Sequence, residues 1–399
     1  MSGSSGGFSL FFFLLASFSF VVISSVFAGE PILLRLGSEQ FVQAGSPPAN
    51  ISLSSYTVPT WFDWDSDGDK DLIVGAKHTF FCPEGICEAG KVYVYLNRPT
   101  AEGPSLDAAF FAQADGNDLA CPVSGCLACF PRVVYWDSDQ RKDLLVGKSD
   151  GRIQIFLNVA TEQEPAFDEG TFLQAGPAGS KTDIFVVARA CPAVTDWNND
   201  GKKDLVVGSI GGRIYLFINE GTDTEPDFVS ETFVKLEDGN DLVVPSLRSS
   251  PDIIDLDGDG KKDILTGDTE GRLLFYSNIG TDAAPVFSDY WFVEADSVPI
   301  NLPDQPRSRP FVCDWTDDGY FDVLIGAGDG KVHLYQSMAQ VGDINKDYVV
   351  DLADFALFAD YWMVSECGLC GGVDFTNDHM VDLLDMEILV ENYLLSQEW

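Results

Sequence analysis

Carboxylates at fixed spacing are the residues of this chain best suited to chemistry. Asp63, Asp65, Asp67 and Asp71 stand at positions one, three, five and nine of a short phrase, with Gly68 at six. Hard oxygens gathered around one point suit calcium, which takes roughly six to eight of them at about 2.3–2.6 Å, and the glycine permits the sharp turn. Without a cation, two carboxylates about 4 Å apart repel by about 4 kcal/mol at an effective dielectric of ~20. The phrase returns with Asp196, Asn198, Asp200 and Asp204, and again with Asp255, Asp257, Asp259 and Asp263. A further copy has Asp314, Asp318 and Asp322, with Thr316 offering a hydroxyl at position three. The second copy keeps Asp137, Asp139 and Asp143 but has Tyr135 at position one and Gln140 in place of glycine, so a weak or empty site is expected there. Asp-rich turns that merely punctuate strands are the alternative. Five copies in register favour the cation.

A second kind of acidic loop closes the chain. Asp343, Asn345, Asp347, Asp351 and Asp354 supply oxygens at positions one, three, five, nine and twelve, and Asp374, Thr376, Asp378, Asp382 and Asp385 repeat them 31 residues later. This is EF-hand spacing, with Asp in place of Glu at twelve and with Tyr348 and His379 where glycine usually turns the chain. Apolar residues at helical spacing follow each loop: Phe355, Phe358, Ala359 and Trp362, then Met386, Leu389, Val390 and Tyr393. They are expected to form the shared core of two short helices.

The elements that position the first set of loops repeat with them. The last Asp of each phrase falls at 71, 143, 204, 263 and 322, so the spacing settles to about sixty residues. Each phrase runs into a continuously apolar stretch, the pattern of a strand covered on both faces. A Gly and a basic residue then open an alternating strand at Gly90, Gly151, Gly212, Gly271 and Gly330. Short turns leave room for roughly four strands per unit. Five such sheets predict a mainly β, five-bladed propeller. The segment from Phe41 to Gly45 repeats the phrase that elsewhere precedes a new unit, so it is expected to complete the last blade and remove the open edge.

The units resemble FG-GAP and VCBS-type repeats of integrin-like propellers over residues 31–338. That resemblance implies calcium bound for structure, and roles in adhesion, carbohydrate binding or scaffolding. Residues 342–396, a small α-helical two-loop calcium module, resemble a dockerin. This implies a cohesin-type partner, with Leu352, Ala353, Leu383 and Leu384 at the recognition positions.

Composition narrows the partners. With 63 acidic and 24 basic residues among 399, the net charge of -39 repels nucleic acid and anionic membrane. An apolar run from Phe8 to Phe27 before Ala28 reads as a signal peptide over residues 1–28, which makes the protein secreted or cell-surface. Residues 1–7 carry no Lys or Arg, and an uncleaved membrane anchor is the alternative. In an exported chain, Cys82, Cys87, Cys121, Cys126 and Cys129 are candidates for disulfides, Cys313 for a buried thiol, and Cys367 and Cys370 for a local bridge or two thiols. Neither a nucleophile elbow, a zincin motif nor a phosphate loop is present. The sequence therefore reads as a binding module for a polysaccharide or a surface protein. A glycoside hydrolase or lyase of a cellulosome-like system is the alternative, its carboxylates otherwise assigned to calcium.

Overall fold

The innermost strand of every blade carries the same device, a proline, which is the first or second residue in four of them and the fifth of eight in the first blade. The strands are β2 (Ser55–Phe62), β6 (Phe130–Val134), β10 (Cys191–Thr195), β14 (Pro251–Ile254) and β18 (Arg309–Cys313), with Pro59, Pro131, Pro192, Pro251 and Pro310. Proline cannot donate to a ladder, and here it needs no partner because each strand is the inner edge of its sheet. The computed structural model describes residues 34–83, 85–101, 103–121, 129–302, 307–338, 340–365, 370–376 and 378–396. The signal-peptide reading and Cys126 and Cys367 lie outside them.

Each inner strand pairs antiparallel with the apolar run that follows the acidic phrase: β3 (Asp71–Cys82), β7 (Asp143–Gly147), β11 (Asp204–Gly208), β15 (Asp263–Gly267) and β19 (Asp322–Gly326). The alternating strands come next: β4 (Gly85–Tyr95), β8 (Ile153–Phe156), β12 (Ile214–Phe217), β16 (Leu273–Tyr276) and β20 (Val332–Tyr335). Two-residue outer strands complete the first four blades: β5 (Phe110–Phe111), β9 (Thr171–Phe172), β13 (Thr232–Phe233) and β17 (Trp291–Phe292). The fifth is completed by β1 (Gln40–Phe41), which pairs with β20 as the sequence implies. In the first blade β3 and β4 run past the sheet as a long hairpin tipped by a Cys82–Cys87 disulfide. Cys121 is bridged to Cys129 and Cys370 is also disulfide-bonded, while Cys191 and Cys313 are buried thiols.

Glycines at the ends of the apolar strands explain how the ring closes. A Cβ on Gly75 would overlap the Cys129 carbonyl oxygen in the next blade, on Gly147 that of Ala190, on Gly208 that of Ser249, and on Gly267 that of Ser308. Gly326 of the fifth blade meets Thr57 of the first in the same way. Five successive contacts thus return to their start, and the chain is a closed five-bladed β-propeller. Packing between blades is apolar and tight, with Leu72, Ile73, Val74, Leu144, Val206, Leu265 and Leu324 fully buried. Near the axis, Arg132 of the second blade faces Asp252 of the fourth at 4.0 Å, and the Val312 amide of the fifth donates to Asp252 at 2.7 Å. Burial pushes the Asp252 carboxyl up.

One charge helps to fasten the closing strand. His333 on β20 is buried, with Nδ1 2.6 Å from Glu39 and Nε2 3.4 Å from Asp329. Burial opposes its charge, yet the hydrogen bonds to Asp329 and Glu39 outweigh it and hold the imidazole above its ordinary 6.5. A raised basic pKa stabilises the fold fully below the unfolded value, and that share is lost as pH climbs through the folded value. Between about pH 6 and about pH 9, the melting temperature is expected to fall by ~2 °C more in the native chain than in His333→Gln. Equal slopes in differential scanning calorimetry would show that the closure does not use this charge.

The C-terminal module packs helices α1 (Leu352–Asp360) and α2 (Leu383–Ser396) around Val350, Phe358, Val373, Val381 and Leu389. The apolar stripe is narrower than its sequence suggests: Phe355, Met386 and Tyr393 are half-buried against this core, while Ala359, Trp362 and Val390 face solvent. Tyr348 leaves the module altogether. It is buried with Tyr320 in the core between the fourth and fifth blades, and the Phe321 amide donates to its hydroxyl at 2.7 Å. The Tyr320 hydroxyl in turn donates to the Asp343 carbonyl at 3.0 Å, so the first loop is fixed to the fifth blade.

Candidate metal centres

Every acidic phrase of the propeller joins an inner strand to the strand beside it, and all five use their last Asp alike. Asp71 is fully buried and accepts from the Trp64 and Asn97 amides, each at 2.7 Å. Asp143 accepts from Trp136 and Asn158, Asp204 from Trp197 and Asn219, Asp263 from Leu256 and Asn278, and Asp322 from Trp315 and Ser337. Two donated bonds clamp the loop to the strand after next. Burial nevertheless dominates the ionisation of these groups: it pushes Asp71 and Asp143 up to about 6 and Asp263 up to about 7, against the amides. Asp204 and Asp322 move in the same direction for the same cause. A neighbouring cation would relieve that penalty.

The rest of the loop is shaped by two left-handed residues. Positions four and six have positive φ at Ser66 and Gly68, Asn199 and Gly201, Gly258 and Gly260, and Asp317 and Gly319. This turns amide hydrogens inward onto the position-one carboxylate, as Gly201 donates to Asp196 at 2.8 Å, Gly260 to Asp255 at 2.9 Å and Gly319 to Asp314 at 2.8 Å. Oxygens of Asp63, Asp65 and Asp71 converge within 4.8 Å of one another, and so do those of Asp255, Asp257 and Asp263. Within these sets Asp63 Oδ1, Asp65 Oδ1 and Asp255 Oδ1 are buried without a hydrogen-bond partner. Buried, unpartnered carboxylate oxygens facing one another are costly, and the donor set fits a hard divalent cation.

The outer acids differ. Asp67 pairs with Arg98, which also reaches Asp65 at 3.0 Å, and Asp259 pairs with Lys261 at 2.5 Å. Asp257 accepts from the Ser277 hydroxyl at 3.0 Å and is raised by burial. In the third loop Asn198 and Asp196 both accept from the Asp200 amide, while Asp200 faces Lys202 at 3.2 Å. In the fifth, Asp318 accepts from Tyr320 and Thr316 lies 3.4 Å from Asp322. The second loop has a left-handed Gln140, and the Arg141 guanidinium takes Asp139.

Both C-terminal loops build the same cradle without glycine. Tyr348 and His379 adopt φ of 69° and donate their amides to Asp343 at 2.8 Å and Asp374 at 2.9 Å. Asp354 and Asp385 at position twelve are fully buried. Each accepts from the loop and from position nine: Ile344 and Asp351 onto Asp354, Thr376 and Asp382 onto Asp385. Asp351 also caps α1 through the Ala353 amide, and Asp382 accepts from Leu384. Asp347 and Asp378 accept from Val349 and Met380, and the Asn345 amide group donates to Asp347 at 2.7 Å.

Sequence reasoning missed the asparagines. Asn158, Asn219 and Asn278 stand fifteen residues after the clamped Asp, and Asn97 does the same work beyond the long hairpin. Their side-chain oxygens then accept from the next turn, as Asn219 does from Gly221 and Asp227 at 2.9 Å each. Their recurrence at the end of each alternating strand was the available signal. The tryptophans beside the phrases, Trp61, Trp64, Trp136, Trp197 and Trp315, are buried in blade contacts rather than open to a sugar face.

Residues 196–266 match the model of the FG-GAP-like repeat, from the acidic loop of the third blade into β15 of the fourth. No curated protein matches the chain. Among solved structures, a GH43_1 enzyme from Xanthomonas citri is 13% identical over 76% of this chain and 93% of its own, with a TM-score of 0.43. A GH43 beta-xylosidase/alpha-arabinofuranosidase from a compost microbial metagenome is 13% identical over 76% of this chain and 97% of its own, with a TM-score of 0.45. The chain is a five-bladed β-propeller that carries FG-GAP-like repeat sequence and ends in two short helices.

Proposed function

We propose that this chain is an exported, calcium-stiffened binding module. Its ring presents a surface to a polysaccharide or a surface protein, and its C-terminal pair of loops plugs into a cohesin-type domain. Calcium is held by the clamped loops of the first, third, fourth and fifth blades and by the two C-terminal loops. Its part is structural, cancelling the repulsion of converging carboxylates. The observation that carries the tether is the exposure of Leu352 and Leu383. They occupy the same position of the two C-terminal repeats and are 73% and 70% exposed, and the adjoining Leu384 is exposed as well. The module's own core is complete without them, and paired apolar residues at a helix start suit a partner that reads the repeat.

Calorimetric titration against a panel of purified cohesin domains tests the tether. Binding at micromolar or tighter affinity is expected in calcium, with a loss of ~100-fold in Leu352→Asp/Leu383→Asp and complete release by chelator. Failure across the panel in calcium, or binding indifferent to both leucines, would sink this reading while leaving the propeller's cation sites standing.

A further inference from the structure

Four of the five repeats set a pattern of side chains at the blade edges, and the seam where the fifth blade meets the first departs from it. The ladder pairs align Gln40 of β1 with Phe110, Thr171, Thr232 and Trp291 of the other outer strands. Gln336, one residue past β20, stands where the other blades have Leu96, Leu157, Ile218 and Ser277. Beyond the outer strand of the fifth blade, Gln43 pairs with Asn50. The same pairing ends on Asp118, Asp183 and Asp241 in the first three blades and on Pro299 in the fourth. Across the seam, Gly103 of the first blade replaces the bulk and charge that Glu164 and Glu225 bring to the second and third.

These departures meet in one groove. Gln40, Gln43, Asn50 and Gln336 line a hollow of about 570 Å³ with Gly103 and Pro104 on the facing blade, and the buried Val42, Leu334 and Trp315 close its base. Among the described residues no charged side chain lines it, in a chain of which 22% of residues are charged. Glu39, the neighbour of Gln40, is taken by His333 instead. The amides are set in pairs: Gln40 Nε2 donates to Gln336 Oε1 at 2.7 Å, and Gln43 Nε2 to Asn50 Oδ1 at 2.9 Å. Each pair leaves one carbonyl oxygen, on Gln40 or Gln43, and one amide group, on Gln336 or Asn50, to a ligand. An ionised aspartate at position 50 would offer no such hydrogen. Past Gly103 and Trp315 the groove runs into a second hollow of about 310 Å³, between the acidic loops of the first and fifth blades.

We propose that this seam groove binds a neutral oligosaccharide. The proposal rests on the reading of the ring as a binding module and narrows its ligand to an uncharged glycan. A sugar hydroxyl both donates and accepts, and neighbouring hydroxyls match a carbonyl oxygen and an amide group set side by side. An ionic ligand would find no counter-charge in the lining, and an apolar one would leave four amides unpaired. A polypeptide adding to the sheet would find an edge of only two residues at β1. Two hollows in line suit a run of sugar residues more than a single one. Thr316 on the wall belongs to the fifth acidic loop, so calcium held there would steady one side of the groove.

Affinity electrophoresis of the full chain in calcium, through native gels containing hydroxyethylcellulose, glucomannan or arabinoxylan, tests it. Retardation by at least one of these matrices is expected, and none by carboxymethylcellulose, the acidic counterpart of the first. Asn50→Asp and Gln336→Leu each restore a residue that other blades carry at the same position, and melting curves certify that they are folded. Gln40→Thr, the residue of the second and third blades, serves where either is not. In calorimetry with a hexasaccharide of the retarding matrix, the dissociation constant is expected to rise ~10-fold or more in each variant. Retardation unchanged in every folded variant overturns the site while leaving the ring a glycan-binding module. Retardation by none of the neutral matrices overturns the glycan assignment itself, and a positive cohesin titration would then leave a tethered ring whose ligand is a protein. Equal retardation by carboxymethylcellulose overturns the preference for an uncharged ligand.

Discussion

Calcium added to the chelated chain is expected to raise its melting temperature by about 18 °C. Each site with a dissociation constant near 10 μM contributes about 2.7 kcal/mol at 1 mM calcium, because the ion binds the folded loop and not the unfolded chain. Four propeller sites then supply about 11 kcal/mol, and a ring of some three hundred residues converts this at ~1.6 °C per kcal/mol. Asp257→Asn gives the prediction opposite signs in the two states. In calcium the variant loses most of one site's contribution, about 4 °C. In chelator it melts no lower than the native chain, because burial already penalises the Asp257 charge and Asp255 and Asp259 add to the penalty. A variant destabilised equally in both states would mark Asp257 as an ordinary turn residue, and a native chain indifferent to calcium would remove the metal from every loop.

The register of the ring was legible because its signal is physical and local. Carboxylates at alternating positions, a turn glycine and a two-faced apolar strand each follow from chemistry within a dozen residues, and five copies made the period plain. The closing role of Phe41 was legible for the same reason, as a phrase out of place that could pair only with the blade that lacked it. What escaped were residues whose reason lies across blades or modules. Asn219 looks like a turn residue until its amide is seen on Asp204. Tyr348 breaks the glycine rule of its own loop and thereby loosens the sequence case for a site. Its reason is the fifth blade, where its hydroxyl meets Phe321 and its ring packs against Tyr320. The outward turn of Trp362 and Val390 was hidden for a related cause, since helical spacing marks a face without saying how much of it is covered.

Gly147→Val is expected to be among the most damaging single changes in the ring, costing on the order of 3 kcal/mol and lowering the melting temperature by ~5 °C. The reason is space and not conformation. Gly147 is not among the glycines with positive φ, so its backbone is open to any residue. Its missing side chain instead makes room for the Ala190 carbonyl and the Pro192 ring of the next blade. Those are backbone and a fixed ring at the start of an inner strand, and neither can rotate away. In a closed ring the displaced strand has no free side to move into, because the same contact recurs at Gly75, Gly208, Gly267 and Gly326. Gly179→Ala separates the two explanations: it has a φ of 82° and nothing within 4 Å of a new Cβ, so it pays conformational strain alone, about 1 kcal/mol. Calcium should lift Gly147→Val and the native chain by equal amounts, since the contact lies at the far end of β7 from the acidic loop and distant effects add. A calcium increment much smaller in the variant would mean that the blades communicate through this contact, and a variant as stable as the native chain would mean that the blades are not closed on one another here.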